Sequence, residues 1–377
     1  MTASPQLVIE SLNKIYGRRD SPIVHAVKSL SMTVNKGEIV ALLGSSGCGK
    51  TSTLRMIAGL ESVSSGSISL AGRRIETLPP SARGVAMAFE GYSLYPPLTV
   101  RDNIAFALKA QRLAPDDARK QVVDAARLVD IESVLDRYPS SISGGQQQRA
   151  SLARALVRRA DLYLLDEPMG QLEPQLRAVL RGRIKSLLNE HGMTAIFVTH
   201  DQTEANALAD RVAVMEAGVL QQFASQKDLK DKPANLFVAT FIGEPPMNVY
   251  GVKPQQKGAG ALSLAISDGP TLELAGGEVS AAVLGALGTR PHVSLGIRPQ
   301  RIRVGNGPLT GRLVSNQWLG DQSHVAFDFA GKLAVAVVPE RVAAKPGDTV
   351  PFGFSAKDVH LFDADSGMAI SHGPEAA

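Results

Sequence analysis

The sequence is poor in the features that mark several protein classes. It holds one cysteine, Cys48, so no disulfide forms within the chain, as expected in a reducing compartment. Aromatic residues make up 5% and tryptophan occurs once, too few for a platform on which nucleic-acid bases stack. No run of Lys or Arg forms a basic stripe: 40 Lys+Arg against 36 Asp+Glu give a formal net charge of +4, mild over 377 residues. No stretch approaches the eighteen or so consecutive apolar residues of a membrane span. The opening MTASPQLVIESLNK has no basic start followed by an apolar block, so no secretory signal is expected. These absences point to the cytosol, with any membrane role exercised through a partner.

What is present suits a folded protein. Hydrophobic residues reach 44% and charged residues 20%, and the length exceeds one ordinary domain, so two are expected. Leu7 to Ile9 opens a strand pattern, and His25 to Val34 alternates apolar and polar. Glu38 to Leu43 is a short, nearly continuous apolar run, the mark of a strand buried on both faces. A glycine-rich loop and a helix over Thr51 to Gly59 follow. Further strands are expected at 67–70, 85–89, 162–165, 194–198 and 212–214. Helical spacing predicts helices over 100–135, 144–158, 172–189 and 202–210. Alternating strands and helices imply a mostly parallel sheet. After about Phe241 short strand-like pieces separated by Gly and Pro suggest a small β-barrel: 293–297, 302–304, 309–314, 325–329, 334–338, 350–354 and 359–362. The Ala/Gly-rich stretch from Ala259 to Leu287 reads as turns.

Gly44-Ser45-Ser46-Gly47-Cys48-Gly49-Lys50-Thr51 matches G-x-x-x-x-G-K-[ST] between a buried strand and a helix. Its glycines let backbone N–H groups turn inward around phosphate oxygens, and the helix N-terminus adds partial positive charge. Lys50 suits the β and γ phosphates, and the Thr51 hydroxyl suits Mg²⁺. A tight turn with a solvated lysine would not account for the whole string. Cys48 reads more readily as a small filler than as a reactive thiol. Leu162 to Glu167 is an apolar strand ending in two acids. Carboxylates are costly in a core, so such a pair marks an opening with a cation or water, although a solvated strand end would look alike. Asp166 suits the Mg²⁺ shell and Glu167 a general base. Ser143-Gly144-Gly145-Gln146 opens a helix and forms a second anion-binding end. One chain does not readily apply two such ends to one triphosphate, which points to a site shared between chains.

With these motifs in this order, the chain resembles the ATP-binding subunit of an ABC transporter, and more narrowly the maltose and glycerol-3-phosphate type of bacterial importer. The resemblance rests on the phosphate loop, Ser143 to Gln146 as signature, Asp166-Glu167 as Walker B with its catalytic glutamate, and Val198-Thr199-His200-Asp201 as the switch histidine. Gly296-Ile297-Arg298-Pro299 and His360-Leu361-Phe362-Asp363 are similar to that family's regulatory barrel. The resemblance implies an α/β P-loop domain over 1–238, with a helical subdomain over about 91–158, and an all-β oligobinding-type (TOBE-like) barrel over 239–377 for regulation or dimerisation. It further implies that Gly44 to Ser52 hold ATP with Mg²⁺, and that Ser143, Gly144, Gly145 and Gln146 of a second subunit close over it. Glu167, His200 and Glu90 take catalytic roles, while Thr51, Asp166 and Glu90 are the metal oxygens. Tyr16 sits near the adenine-stacking position, with Arg18 to Pro22 lengthening the segment after it. Tyr92 to Pro97 matches the region that touches a membrane subunit. The implied partners are two permeases, a second ATP-binding subunit and, indirectly, an external solute-binding protein. The implied place is the cytoplasmic face of the cell membrane.

Two positions depart from the family. Glu90 stands where a glutamine is usual, and it keeps the acceptor oxygens while losing the donor. A carboxylate about 5 Å from a phosphate charge costs roughly 3 kcal/mol at an effective dielectric of 20, on the order of a hundredfold in rate. A direct Mg²⁺ contact offsets that. Gly170-Gln171-Leu172-Glu173 replaces the usual Ser-Asn-Leu-Asp, moving a carboxylate out by one methylene and suggesting a heterodimer with a different ATPase. The competing readings are a weakly active regulatory subunit and a non-transport ABC ATPase. Lys50 and Ser143 stand too close for the long coiled-coil insertion usual in the latter, and one cassette is present.

Overall fold

The computed structural model describes residues 5–17, 22–111, 113–257, 261–274, 279–288, 290–373 and 375–376. The chain divides into two compact units, Met1–Gln226 and Lys227–Ala377. The strands of the first are β1 (Pro5–Tyr16), β2 (Val24–Asn35), β3 (Ile39–Gly44), β4 (Ser65–Leu70), β5 (Arg73–Arg74), β6 (Val85–Ala88), β7 (Leu162–Asp166), β8 (Ala195–Thr199), β9 (Arg211–Glu216) and β10 (Val219–Ala224). Its main helices are α1 (Lys50–Ala58), α2 (Val100–Phe106), α3 (Pro115–Leu128), α4 (Gly144–Leu156), α5 (Pro174–Glu190) and α6 (Gln202–Leu208).

The apolar runs set the architecture. Every residue of β3, β7 and β8 is buried, as two-sided burial in a central parallel sheet requires. These strands belong to a six-stranded sheet in the order β10-β9-β3-β8-β7-β6, parallel except for β10. The alternating strands β1 and β2 join β4 and β5 in a separate antiparallel sheet. Both sheets and α1 share one core, with Leu7, Leu30, Leu42, Leu54, Ile57, Leu164 and Val198 fully or almost fully buried. The sheet order decides where chemistry occurs. β6, β7, β8 and β3 are neighbours and parallel, so Glu90, Glu167, His200 and the loop after Gly44 all leave the same sheet edge.

The continuous helix expected over 100–135 is instead α2, a short connection and α3. Pro115 is the reason: it starts a helix well but holds Ala114 extended, at φ −61° and ψ 146°. α2 starts where Thr99 caps it, accepting from the Asp102 N–H at 3.1 Å.

In the second unit a seven-stranded and a four-stranded antiparallel sheet enclose a core that includes Val252, Leu264, Leu295, Phe327 and Phe352. Phe352 packs on Phe327 and Phe329 with ring centroids 4.5 and 4.9 Å apart. The pieces expected at 302–304 and 309–314 are parts of one strand, Arg303–Trp318. Its pairing slips between Val304 and Leu309, where Gly307 at φ +146° lies too close to the Phe352 carbonyl for any side chain. The stretch from Ala259 to Leu287, which reads as turns in the sequence, is more regular than that. Its described residues form strands Ala261–Ile266 and Thr271–Leu274 and a helix, Ala281–Leu287, while 258–260 and 275–278 lie outside them. Helices Gln226–Asp231 and Leu236–Phe241 precede these sheets, and the second contributes Ala239 to a small core with Met247 and Phe362.

Candidate active site

The loop between β3 and α1 is shaped by its glycines. Gly47 and Gly49 hold φ of +78° and +102°, and a side chain on Gly49 would collide with the Ala26 carbonyl. A side chain on Gly44 would collide with the Met215 carbonyl. Lys50 is almost buried, and its ammonium donates to the carbonyls of Gly44 at 2.8 Å and Ser45 at 2.9 Å. It therefore sits over the turn, where inward N–H groups and the start of α1 gather positive potential. Ser45 Oγ donates to Glu216 Oε2 at 2.6 Å, which pins the loop to the end of β9. Cys48 is 2% exposed and burial raises its thiol pKa, so it is a protonated packing group. Tyr16 donates its hydroxyl to Ser52 Oγ at 3.2 Å, and the Lys14 ammonium lies 4.7 Å from its ring centroid. Of the segment after Tyr16, residues 18–21 lie outside the described ones.

Asp166 at the tip of β7 is 3% exposed and accepts from the Thr51 hydroxyl at 3.4 Å. Burial first, then the charges of Glu90 and Glu167, push its carboxyl up to about 6, against the pull of Arg55 and Thr51. Glu90 itself is exposed. Glu167 adopts φ +44°, a left-handed conformation unusual for a side-chain-bearing residue, and strain of this kind gathers at functional sites. Its backbone is fixed by bonds to Val198 O at 3.1 Å and from Gln148 Nε2 at 2.8 Å. Its Oε1 lies 3.2 Å from Nδ1 of His200, whose side chain is 67% exposed. An acid and an imidazole therefore face solvent together at one sheet edge, beside the lysine-bearing loop. Among the described residues no group of three or more His, Cys, Asp or Glu forms a metal cage. The Thr51 hydroxyl and the Asp166 carboxyl offer hard oxygens, and a buried carboxylate with no cation bonded to it among the described residues suits a divalent ion completed by phosphate oxygens.

Comparison with known proteins decides the family. Residues 27–170 match the ABC transporter domain and residues 295–362 the TOBE domain. The trehalose import ATP-binding protein of Mycobacterium tuberculosis is 38% identical, covering 97% of this chain and 98% of that protein. The chain belongs to the ATP-binding subunits of ABC transporters. An sn-glycerol-3-phosphate import ATP-binding protein of Agrobacterium fabrum is also 38% identical, over 95% and 98% of the two chains. For the lactose transport ATP-binding protein of Rhizobium radiobacter the figures are 38%, 96% and 98%. A dimeric ATP-binding cassette, solved in a post-hydrolysis state with ADP and phosphate, shares the fold at a TM-score of 0.55 and 25% identity. It covers 58% of this chain and 98% of its own.

The remaining pieces of this ABC ATPase surround the acids. Ser143 caps α4 reciprocally with Gln146: Ser143 Oγ accepts at 3.3 Å, and Gln146 Oε1 accepts from the Ser143 N–H at 3.0 Å. Tyr92 hydrogen-bonds Gln171 and lies close to Gly144, where a side chain would meet its hydroxyl at 2.9 Å. Two residues not singled out from the sequence support the site, and a third, Asn103, holds the 95–99 segment. Gln148 is 3% exposed, donates to Glu167 O and accepts from the Gln171 N–H at 3.1 Å, so it holds the acid and the following loop in register. Arg177 reaches Leu172 O at 3.0 Å and Asp201 at 3.4 Å. Asn103 is fully buried, accepts from Tyr95 N at 2.7 Å and donates to the carbonyls of Tyr95, Leu98 and Thr99. Glu216 carried a readable signal, an acid at the end of an apolar strand, the pattern that marks Asp166. A cavity of about 860 Å³ lies elsewhere, beside Tyr163, His191 and Thr194 at the opposite ends of β7 and β8.

Proposed function

We propose that this subunit hydrolyses ATP to power import of a small carbohydrate-like solute, a sugar, polyol, glycerol or glycerol 3-phosphate, through separate membrane permeases. The observation that carries the chemistry is the Glu167–His200 pair beside the Lys50 loop. The solute class rests on relatives named for trehalose, lactose and sn-glycerol-3-phosphate. Nucleotide chemistry belongs to the first unit, and regulation or dimerisation to the second.

In this reading Gly44 to Ser52 cradle the phosphates through backbone N–H groups, and Lys50 balances the β and γ charge. Thr51, Asp166 and Glu90 would hold Mg²⁺, which when bound would withdraw charge from the phosphate oxygens. Tyr16 stacks against adenine. Ser143, Gly144, Gly145 and Gln146 of a second ATP-binding subunit, identical or paralogous, close over the same nucleotide. Glu167 accepts a proton from water as its oxygen attacks the γ-phosphorus; the bond to the ADP oxygen breaks and phosphate leaves. His200 orients Glu167 and the γ-phosphate. The exposed Tyr95 and Phe106 rings, 4.9 Å apart, suit a helix of a permease docking from the cytoplasmic face of the membrane. An external solute-binding protein would deliver the solute.

Glu167→Gln is expected to lower ATP turnover by 10²–10⁴-fold while ATP still binds. Unchanged turnover would remove Glu167 from the mechanism. A second reading, a weakly active regulatory subunit, is favoured by the charge that Glu90 imposes on Asp166. An inert native protein made active by Glu90→Gln would select it.

A further inference from the structure

The second unit contains a cavity of about 380 Å³ that the ATPase reading leaves unused. Its rim carries Lys230, Lys232, Arg301 and Lys357, all exposed, and its floor carries the buried Arg298 and His360. Five cations thus line it against two carboxylates, Asp231 and Asp358. Asp358 lies 3.5 Å from Arg301.

Arg298 is 4% exposed. It donates through one terminal nitrogen to Ala239 O at 2.8 Å and to Ile242 O, and through the other to Lys230 O at 3.0 Å. Its Nε is buried with no hydrogen-bond partner among the described residues. Backbone carbonyls satisfy donors but cancel no charge, and Asp231 acts on the guanidinium only through space. A buried cation left without a bonded counter-charge is costly, and an anion in the cavity relieves that cost. Two histidines stand beside these cations. His360 Nδ1 lies 3.0 Å from Nδ1 of His372, so one ring donates to the other and the pair is not doubly charged. Burial first, then His372, Arg298 and Arg301, lower the His360 pKa to about 3, so this ring is neutral and adds no positive charge to that of the arginines and lysines.

We propose that this cavity binds a small phosphate dianion, either inorganic phosphate or the phosphate group of a phosphorylated sugar. The volume falls at the lower end of small-molecule pockets, and the charged floor is recessed, which suits a small solute. Arginine and lysine both favour phosphate oxygens, and the anion would bridge the 230–232 segment to Arg301 and Lys357. The proposal concerns the second unit alone and stands whether or not the solute assignment does.

The test is calorimetric titration of the full chain with inorganic phosphate, glucose 6-phosphate and, as the neutral control, glucose. Since the phosphate loop also attracts anions, titrations are repeated on Lys50→Ala. Binding by either phosphate probe that survives Lys50→Ala and weakens at least tenfold in Arg301→Gln/Lys357→Gln supports the site, and the tighter probe names the source. Both altered residues are exposed, and the pair should leave basal ATP hydrolysis unchanged. If that pair unfolds the chain, Lys230→Gln/Lys232→Gln asks the same question from the opposite wall. Three results would overturn the proposal: no binding at 10 mM, binding lost in Lys50→Ala but kept in the cavity variants, or glucose binding equally well.

Discussion

Asp166 is held at odds with its surroundings. Its carboxyl stands at about 6 instead of the ordinary 3.8, chiefly through burial and then the Glu90 charge. The sign follows from linkage. The folded chain keeps this proton to higher pH than the unfolded chain, so the group favours folding below about pH 4. That contribution is lost as pH rises towards 6. A rise from 3.8 to about 6 corresponds to at most about 3 kcal/mol. Asp166→Asn is therefore expected to raise the melting temperature of the nucleotide-free protein at pH 7.5 by several degrees, with little change at pH 4, while abolishing hydrolysis. Parallel thermal melts at the two pH values check it, and equal shifts at both would sink the electrostatic account. Glu90→Gln removes the second cause of the rise. It should lower the Asp166 pKa; with Glu90 as a Mg²⁺ ligand, turnover at saturating Mg²⁺ is expected to stay level or fall, whereas a rise of up to about a hundredfold, the whole of the roughly 3 kcal/mol repulsion, would select the regulatory reading.

The short connections between elements carry much of the local order. Asn103, on α2, hydrogen-bonds the 95–99 segment through both the oxygen and the nitrogen of its amide and is fully buried. Asn103→Ala removes the partner of the Tyr95 N–H and of the Leu98 carbonyl, while the Tyr95 and Thr99 carbonyls keep backbone donors, at about 1–3 kcal/mol for each group left unpaired before relaxation. The expected result is a stability loss of about 2–4 kcal/mol in urea titration, with faster proteolysis between 91 and 99. A loss below 0.5 kcal/mol would show the segment to be held by other contacts. Asn103 also marks a limit of sequence reading. Runs such as Ile39 to Leu43 and Leu162 to Leu165 announce buried strands, because an unbroken apolar run between turn residues leaves neither face of a strand for water. The loop, the acid pair and the histidine were legible because their residue types are chemically narrow. Asn103 and Gln148 gave no such signal, since an amide that bonds backbone from a distant segment leaves no local pattern. In the second unit Leu262, Leu264, Leu272 and Leu274 alternate correctly, but Ala, Gly and Ser around them blur the period, so strands passed for turns. Gly307 had the opposite effect, making one kinked strand read as two.

The two units have separate cores: one around Leu42, Leu54 and Val198, the other around Leu295, Phe327 and Phe352. Separate cores permit separate melting, and ligands that bind only one folded unit then act on one transition. Calorimetry of the full Glu167→Gln chain is expected to resolve two transitions. Mg²⁺ with ATP at a hundred times its Kd should stabilise the nucleotide-binding unit by about 2.7 kcal/mol and shift only its transition. Glucose 6-phosphate, titrated into Lys50→Ala, should move the other transition instead, because Arg298, Arg301 and Lys357 all belong to the second unit. A single transition that both ligands shift equally would mean that the units fold as one cooperative body, and that an anion near Arg298 is felt at Lys50.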